Sequence, residues 1–157
     1  MKIITWNLNS RTNKIDLIKQ CEYLNSGNFD IITLQEVLIK SEKFFKDYFC
    51  ENYILSSFDL VKDQSILKGN RKFGQLVISK KIINEIPVCS NLPFPERVLS
   101  VRIDDFELHT THVPPGSSNG VIKVKHLEEF YKFISKRNEK KQIITGDFNS
   151  PQKELIS

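Results

Sequence analysis

Gln142-Ile143-Ile144-Thr145-Gly146-Asp147-Phe148-Asn149-Ser150-Pro151 joins a short apolar run to a cluster of turn-forming residues. The β-branched residues favour an extended strand over Gln142 to Thr145, and glycine followed by Asp, Asn and Pro breaks it. Asp147 and Asn149 therefore stand just past a strand, where sheets covered by helices carry their functional side chains. The same arrangement recurs earlier in the chain. Asn7 and Asn9 follow an apolar stretch over Lys2 to Trp6, Glu36 follows Ile31-Ile32-Thr33-Leu34-Gln35, and His112 ends Phe106 to His112. These six residues supply two carboxylates, three amides and an imidazole, a set that one cleft could collect.

The intervening segments read as alternating strands and helices. Leu17, Cys21 and Leu24 at helical spacing predict a helix over Lys14 to Ser26, stopped by Gly27. A helix over Ser41 to Phe49 leads to expected strands at Tyr53 to Phe58, Gly74 to Ser79 and Ile82 to Val88. Asp59 to Phe73, with Lys62, Lys68, Arg71 and Lys72, reads as a surface loop. Val98 to Ile103 and Phe106 to His112 flank Asp104-Asp105, the pattern of a tight antiparallel hairpin. Leu127, Phe130, Tyr131 and Ile134 predict a helix over Val121 to Arg137 with these four residues inward. The mixture of βαβ units and hairpins predicts an α/β sandwich on a mixed sheet.

With 157 residues, 39% of them hydrophobic and 27% charged, the chain has the composition of one soluble globular domain over 1–157, and disordered, collagen-like and disulfide-scaffold classes are excluded. A formal charge of +4 permits a polyanionic partner without requiring one. Cys21, Cys50 and Cys89 are odd in number and widely spaced, which points to reduced thiols. Polar residues begin too early for a secretory leader, and no apolar run approaches the ~20 residues that span a bilayer. A cytoplasmic address is expected.

Hard cations such as Mg²⁺ take oxygen ligands and keep several waters, so one or two carboxylates plus a substrate phosphate hold one. Glu36 is the first candidate ligand, sharing its ion with Asp147. Hydrolysis of a phosphodiester also needs an aligned water, donors to the phosphoryl oxygens and help for the leaving oxygen. Asp147 could orient or deprotonate water, Asn7 and Asn149 could donate to phosphate, and His112 could act as an acid. Taken singly, each has a plainer reading: an Asn or Asp after a strand shapes a turn, and a lone Glu or His is solvated or hydrogen-bonded. His109 leans away from His112 along its strand. His126 falls on the polar helix face beside Lys123 and Lys125, and both histidines read as structural.

Thr5-Trp6-Asn7-Leu8-Asn9, Leu34-Gln35-Glu36-Val37, Thr111-His112-Val113-Pro114 and Gly146-Asp147-Phe148-Asn149-Ser150-Pro151 resemble, in order, the successive motifs of the endonuclease/exonuclease/phosphatase superfamily. The resemblance implies a four-layer α/β sandwich of the DNase I-like type and a Mg²⁺-dependent phosphoesterase, with Mn²⁺ as an alternative ion. It assigns metal binding to Glu36, phosphate or metal-associated water to Asn7 and Asn149, and alignment of the nucleophilic water to Asp147. His112 stands where the abasic-site endonuclease branch carries Tyr and the DNase I-like, sphingomyelinase-like and phosphoinositide-phosphatase-like branches carry His, which argues against abasic-site repair. Arg97 resembles a phosphate-contacting Arg before a strand, a role suited to its bidentate fork; a surface ion pair with Glu96 or Asp104 is the other reading. Asn9 is grouped with Arg97 as substrate-binding.

The superfamily pattern continues beyond the Gly-Asp-Phe-Asn motif to a terminal Asp-His pair that these 157 residues do not include. The resemblance thus corresponds to an N-terminal part, and little or no activity is expected of it alone. A fragment, a half complemented by a separate C-terminal polypeptide, and a self-associating relic are the three expected origins. The leading functional expectation is a phosphodiesterase acting on DNA. The alternatives are a hydrolase of small or lipid phosphoesters and an inactive phosphate-binding module.

Overall fold

The computed structural model describes residues 1–61, 72–88, 91–138 and 141–150, with the backbone alone for 117–119. Strands β1 (Ile3–Asn7), β2 (Ile31–Leu38), β3 (Tyr53–Ser56) and β4 (Phe73–Ser79) form one sheet in the order β1-β2-β4-β3. Strands β5 (Asn84–Glu85), β6 (Val98–Ile103), β7 (Phe106–His112) and β8 (Gln142–Asp147) form a second in the order β5-β6-β7-β8. Each sheet is mixed: β1 with β2 and β7 with β8 are parallel, and the remaining pairs are antiparallel.

Helices α1 (Lys14–Ser26) and α2 (Ile39–Tyr48) cover the first sheet, a short turn of helix α3 (Ser57–Leu60) follows β3, and α4 (Gly116–Ser135) covers the second sheet. Three apolar clusters separate the layers. Leu17, Cys21, Leu24 and Phe45 from the helices pack on Ile32, Leu34, Leu76 and Ile78. Ile31, Val77, Leu99, Val101 and Leu108 fill the space between the sheets. Phe130 packs with Val98 and Leu92 beneath α4. The expected α/β sandwich with mixed sheets is thus found, as four layers.

Local rules account for much of this. The Asn13 side chain caps α1 by accepting from the Ile15 amide at 2.9 Å. Gly27 caps its C-terminus, its N–H donating to the Tyr23 carbonyl at 3.1 Å, and makes room for the Phe29 ring, whose Cζ would lie 2.6 Å from a Cβ there. Asp104, at φ 51, turns the β6–β7 hairpin.

Several expectations require correction. The strand expected over Tyr53 to Phe58 stops at Ser56, whose hydroxyl and Asp59 make a reciprocal cap that turns the chain helical. Ile82 to Val88 contributes only two paired residues. On α4, Phe130 and Ile134 face inward as expected, but Tyr131 is 67% exposed, and His126 and Phe133 join the inward stripe. His126 is therefore not on a polar face: it is fully buried, with Nε2 3.2 Å from Thr111 Oγ1. Lys62, Lys68, Arg71, Cys89 and Pro151 lie outside the described residues. Cys21 and Cys50 are free thiols, and among the described residues no helix is long and apolar enough to cross a membrane.

Candidate active site

Side chains alternate across a strand, so residues two apart share a face. Along the inner face between the sheets, this period produces three successive tiers. Ile3, Ile31, Leu108 and Ile143 are apolar. Next come Thr5, Thr33, Gln35, Thr110 and Thr145, which hydrogen-bond to one another. Gln35 Nε2 donates to Thr5 Oγ1 at 3.1 Å and Thr110 Oγ1 at 3.2 Å, and the Thr33 and Thr145 hydroxyls lie 3.2 Å apart. Asn7, His112 and Asp147, each two residues beyond a threonine, form the third tier at the open end. Parallel pairing sets His112 opposite Asp147 and brings the ends of β1 and β2 together.

Glu36 joins them through a local irregularity. The β2–β4 register shifts between Leu34 and Val37, and Glu36 takes φ 54, a conformation rare for a residue with a side chain. Gln35 thereby stays buried while the carboxylate of Glu36 turns to the open end. Gly146, at φ 133, meets a different demand, since a Cβ there would lie 2.8 Å from the Thr111 nitrogen and closer still to its carbonyl oxygen. Glycine lets β8 lie against β7 where Asp147 begins.

The resulting contacts are short. Asn7 Nδ2 donates to Asp147 Oδ2 at 2.7 Å and to Glu36 Oε1 at 3.2 Å, so one amide bridges carboxylates carried by different sheets. Ser10 Oγ donates to Glu36 Oε2 at 2.7 Å. His112 Nε2 lies 3.4 Å from both Glu36 Oε1 and Asn149 Nδ2. Asn149 donates through Nδ2 to the Val113 carbonyl at 2.7 Å, and its backbone N–H reaches Asp147 Oδ1 at 2.9 Å. Burial, followed by the charge of Arg97, holds the His112 imidazole below the ordinary histidine range against the pull of Glu36 and Asp147.

Arg97 approaches from a 3₁₀ turn over Pro95–Arg97, its guanidinium carbon 4.5 Å from the centre of Phe94 and 5.8 Å from Phe73. Burial pushes its pKa down, with Glu96 and Glu36 opposing. Glu96 is 4.0 Å away, whereas Asp104 pairs with Lys81. Asn9 stands at the rim: it is exposed, and its backbone N–H donates to Asn7 Oδ1 at 2.8 Å.

The structure thus brings together Asn7, Glu36, His112, Asp147 and Asn149, with Arg97 beside them. Ser10 was not among the sequence candidates. Its reach depends on successive left-handed residues at Asn9 and Ser10, which no local pattern announces. Lys123 is another, donating to the Asn149 carbonyl at 2.7 Å from α4. His109 faces the opposite side of β7, near Ser100 and Glu107.

For a divalent ion, the set offers two carboxylates around a single amide, all hard oxygen chemistry, which fits Mg²⁺ better than a thiolate- or imidazole-seeking ion. Among the described residues, no group of three or more His, Cys, Asp or Glu is placed to hold a metal by itself.

Two four-stranded sheets between helical layers, with an amide and carboxylate constellation at one end, define a four-layer α/β sandwich with a polar site at its open edge. The chain belongs to the endonuclease/exonuclease/phosphatase family, whose model matches residues 4–154. It is 29% identical over 165 aligned residues to a DNA-(apurinic or apyrimidinic site) endonuclease of Dictyostelium discoideum, an alignment covering 99% of this chain and 43% of that protein. Among solved structures, it is similar to an AP endonuclease from Archaeoglobus fulgidus, with TM-score 0.74, 20% identity, and coverage of 95% of this chain and 57% of that one. It is also similar to a Neisseria 3′ phosphatase bound to product DNA hairpin, with TM-score 0.72, 21% identity, and coverage of 95% and 58%. The chain therefore spans less than half of the curated relative and under two thirds of these solved chains. Two of these three proteins are named as abasic-site endonucleases, the branch against which His112 was read.

Proposed function

We propose that this chain carries part of the active site of a Mg²⁺-dependent phosphodiester hydrolase acting on DNA. The observation that supports this reading most is the bridge from the Asn7 amide to the carboxylates of Glu36 and Asp147, contributed by different sheets at one open end. Glu36 and Asp147 would hold the ion, which when bound supplies positive charge to the phosphate oxygens.

The chain's own groups account for the remaining tasks. Arg97, a cation on an aromatic floor, clamps a phosphate oxygen pair, and its half-buried setting strengthens that contact. The Asn7 amide, donating to both carboxylates, holds them in place, and Asn149 presents its amide beside His112 where the negative charge grows. Asp147, fixed through Oδ1 by the Asn149 backbone, orients a water and takes its proton. His112, beside Glu36 and Asn149 and with its pKa lowered by burial, is the group set to assist the leaving oxygen, the acid role expected from sequence.

The test is Mg²⁺-dependent cleavage of plasmid DNA and of a chromogenic phosphodiester, using the purified chain alone and with the remaining C-terminal part of a relative supplied in trans. Glu36→Gln and Asp147→Asn are each expected to reduce the rate by at least about a hundredfold. Undiminished cleavage in both variants, or none by the parent under either condition, would overturn the reading.

A further inference from the structure

A cleft of about 580 Å³ opens beside the site, and Asn9, Ser10, Thr12, Lys40 and Lys72 are among the residues lining it. It shares a wall with the constellation described above, because Ser10 both lines the cleft and donates to Glu36. The two lysine-bearing segments are tied together where the Ile39 N–H donates to the Lys72 carbonyl at 3.2 Å. Among the described residues, no carboxylate lines the cleft.

Lys43, Lys46, Lys80, Lys81, Lys132 and Lys141 each pair with a carboxylate. Lys40 and Lys72 share with Lys14, Lys19, Lys125 and Lys136 the lack of an ion pair or side-chain hydrogen bond among the described residues, and of these six only they line this cleft. Two ammonium groups without a carboxylate partner, beside the amide of Asn9 and the hydroxyl of Thr12, make a receptor for a compact anion. The scissile phosphate has its proposed partners elsewhere, at Asn149 and Arg97.

We infer that this cleft is a subsite for the phosphate flanking the scissile one on a DNA strand. The inference rests on the reading of the site as a DNA phosphodiesterase, and it deepens that reading by giving the chain a preference for a polymer. A small phosphoester fills only the reacting site. A strand also places its neighbouring phosphate between Lys40 and Lys72.

The experiment measures binding without turnover. A fluorescein-labelled single-stranded DNA of roughly ten nucleotides is titrated with the full chain in EDTA at several salt concentrations, followed by anisotropy. Each neutralised phosphate on a single strand contributes about 0.7 to the slope of log affinity against log salt. Lys40→Gln with Lys72→Gln is expected to weaken binding and flatten the slope by about that amount. Lys40→Arg with Lys72→Arg restores the slope, and the charge-matched pair Lys19→Gln with Lys125→Gln, on exposed positions elsewhere, leaves it unchanged. A parent-like slope in the Gln pair, or an equal flattening in the control pair, overturns the subsite and leaves the phosphodiesterase reading standing. Absence of DNA binding by the parent at the lowest salt overturns both.

Discussion

Lowering the pH from about 6.5 should steadily destabilise this protein before most of its carboxylates titrate, because two histidines are buried in neutral form. His109 and His126 are both 0% exposed, and burial pushes each pKa down to about 4. At His109, desolvation outweighs the attraction of Glu107, whose carboxylate lies 3.5 Å away. In the unfolded chain both titrate near about 6.5. The unfolded state therefore binds more protons below that value, and stability falls as pH drops from about 6.5 toward about 4, then levels off. Each group contributes about 1.4 kcal/mol per pH unit in that window, or about 3 kcal/mol over its width. Together they approach the lower part of the ~5–15 kcal/mol that holds a typical domain folded. Urea unfolding followed by the fluorescence of Trp6, the one tryptophan, gives the free energy at each pH. His109→Gln and His126→Gln should each remove about half of the slope. A free energy that differs by less than about 1 kcal/mol between pH 7 and pH 5 would refute the assignment of these histidines as neutral in the fold. Glu107, held below the usual carboxylate range first by its hydrogen bond from Arg137, acts at lower pH: its contribution is complete above the unfolded carboxylate value and is lost as pH falls through the folded one.

Gly146→Ala should destabilise the protein by about 3 kcal/mol or more, since it adds strain at φ 133 to a clash with the Thr111 backbone; a urea midpoint unchanged from the parent would contradict this. Gln35→Leu removes the amide that donates to exposed Thr5 and buried Thr110, and because Thr110 still donates to Gln75 it should cost about 1 kcal/mol in thermal unfolding; equal or greater stability would show that these bonds contribute nothing net. With a thiol reagent in native buffer, exposed Cys50 should react quickly. Cys21, buried and with its pKa pushed up to about 12, should react only on unfolding, and fast native labelling of Cys21 would reverse that expectation.

The sequence is most readable where local pattern and tertiary environment agree. Lys14 to Ser26 is a helix with its inward face as spaced, and Val98 to His112 is the expected hairpin, because capping, apolar period and turn residues all point the same way. Leu127 to Ile134 shows the opposite case. Tyr131 and Phe133 are both large apolar residues at allowable helical phases, and the rotation of α4 is decided by what β7 presents. Thr111 presents a hydroxyl, which gives His126 a partner and turns a residue of polar type inward. At the candidate site, strand-end polarity picked out Asn7, Glu36, His112, Asp147 and Asn149, which do converge. The left-handed turn at Glu36 and the reach of Ser10 depend on backbone irregularities set by neighbouring strands, and these leave no periodic trace.

The hydroxyl and amide tier between the sheets has a consequence for the order in which the molecule becomes competent. Asn7 and Glu36 belong to one sheet, His112 and Asp147 to the other, so neither sheet folded alone contains the constellation. Sliding one sheet over the other by a residue, about 3.3 Å, would carry the Gln35 amide and the Thr33 hydroxyl out of hydrogen-bonding reach of Thr110 and Thr145 at once. Greasy surfaces alone would tolerate such a slide. The tier works as a coincidence detector, and any ability to grip phosphate becomes a report that both halves of the sandwich have met in the one alignment that satisfies it.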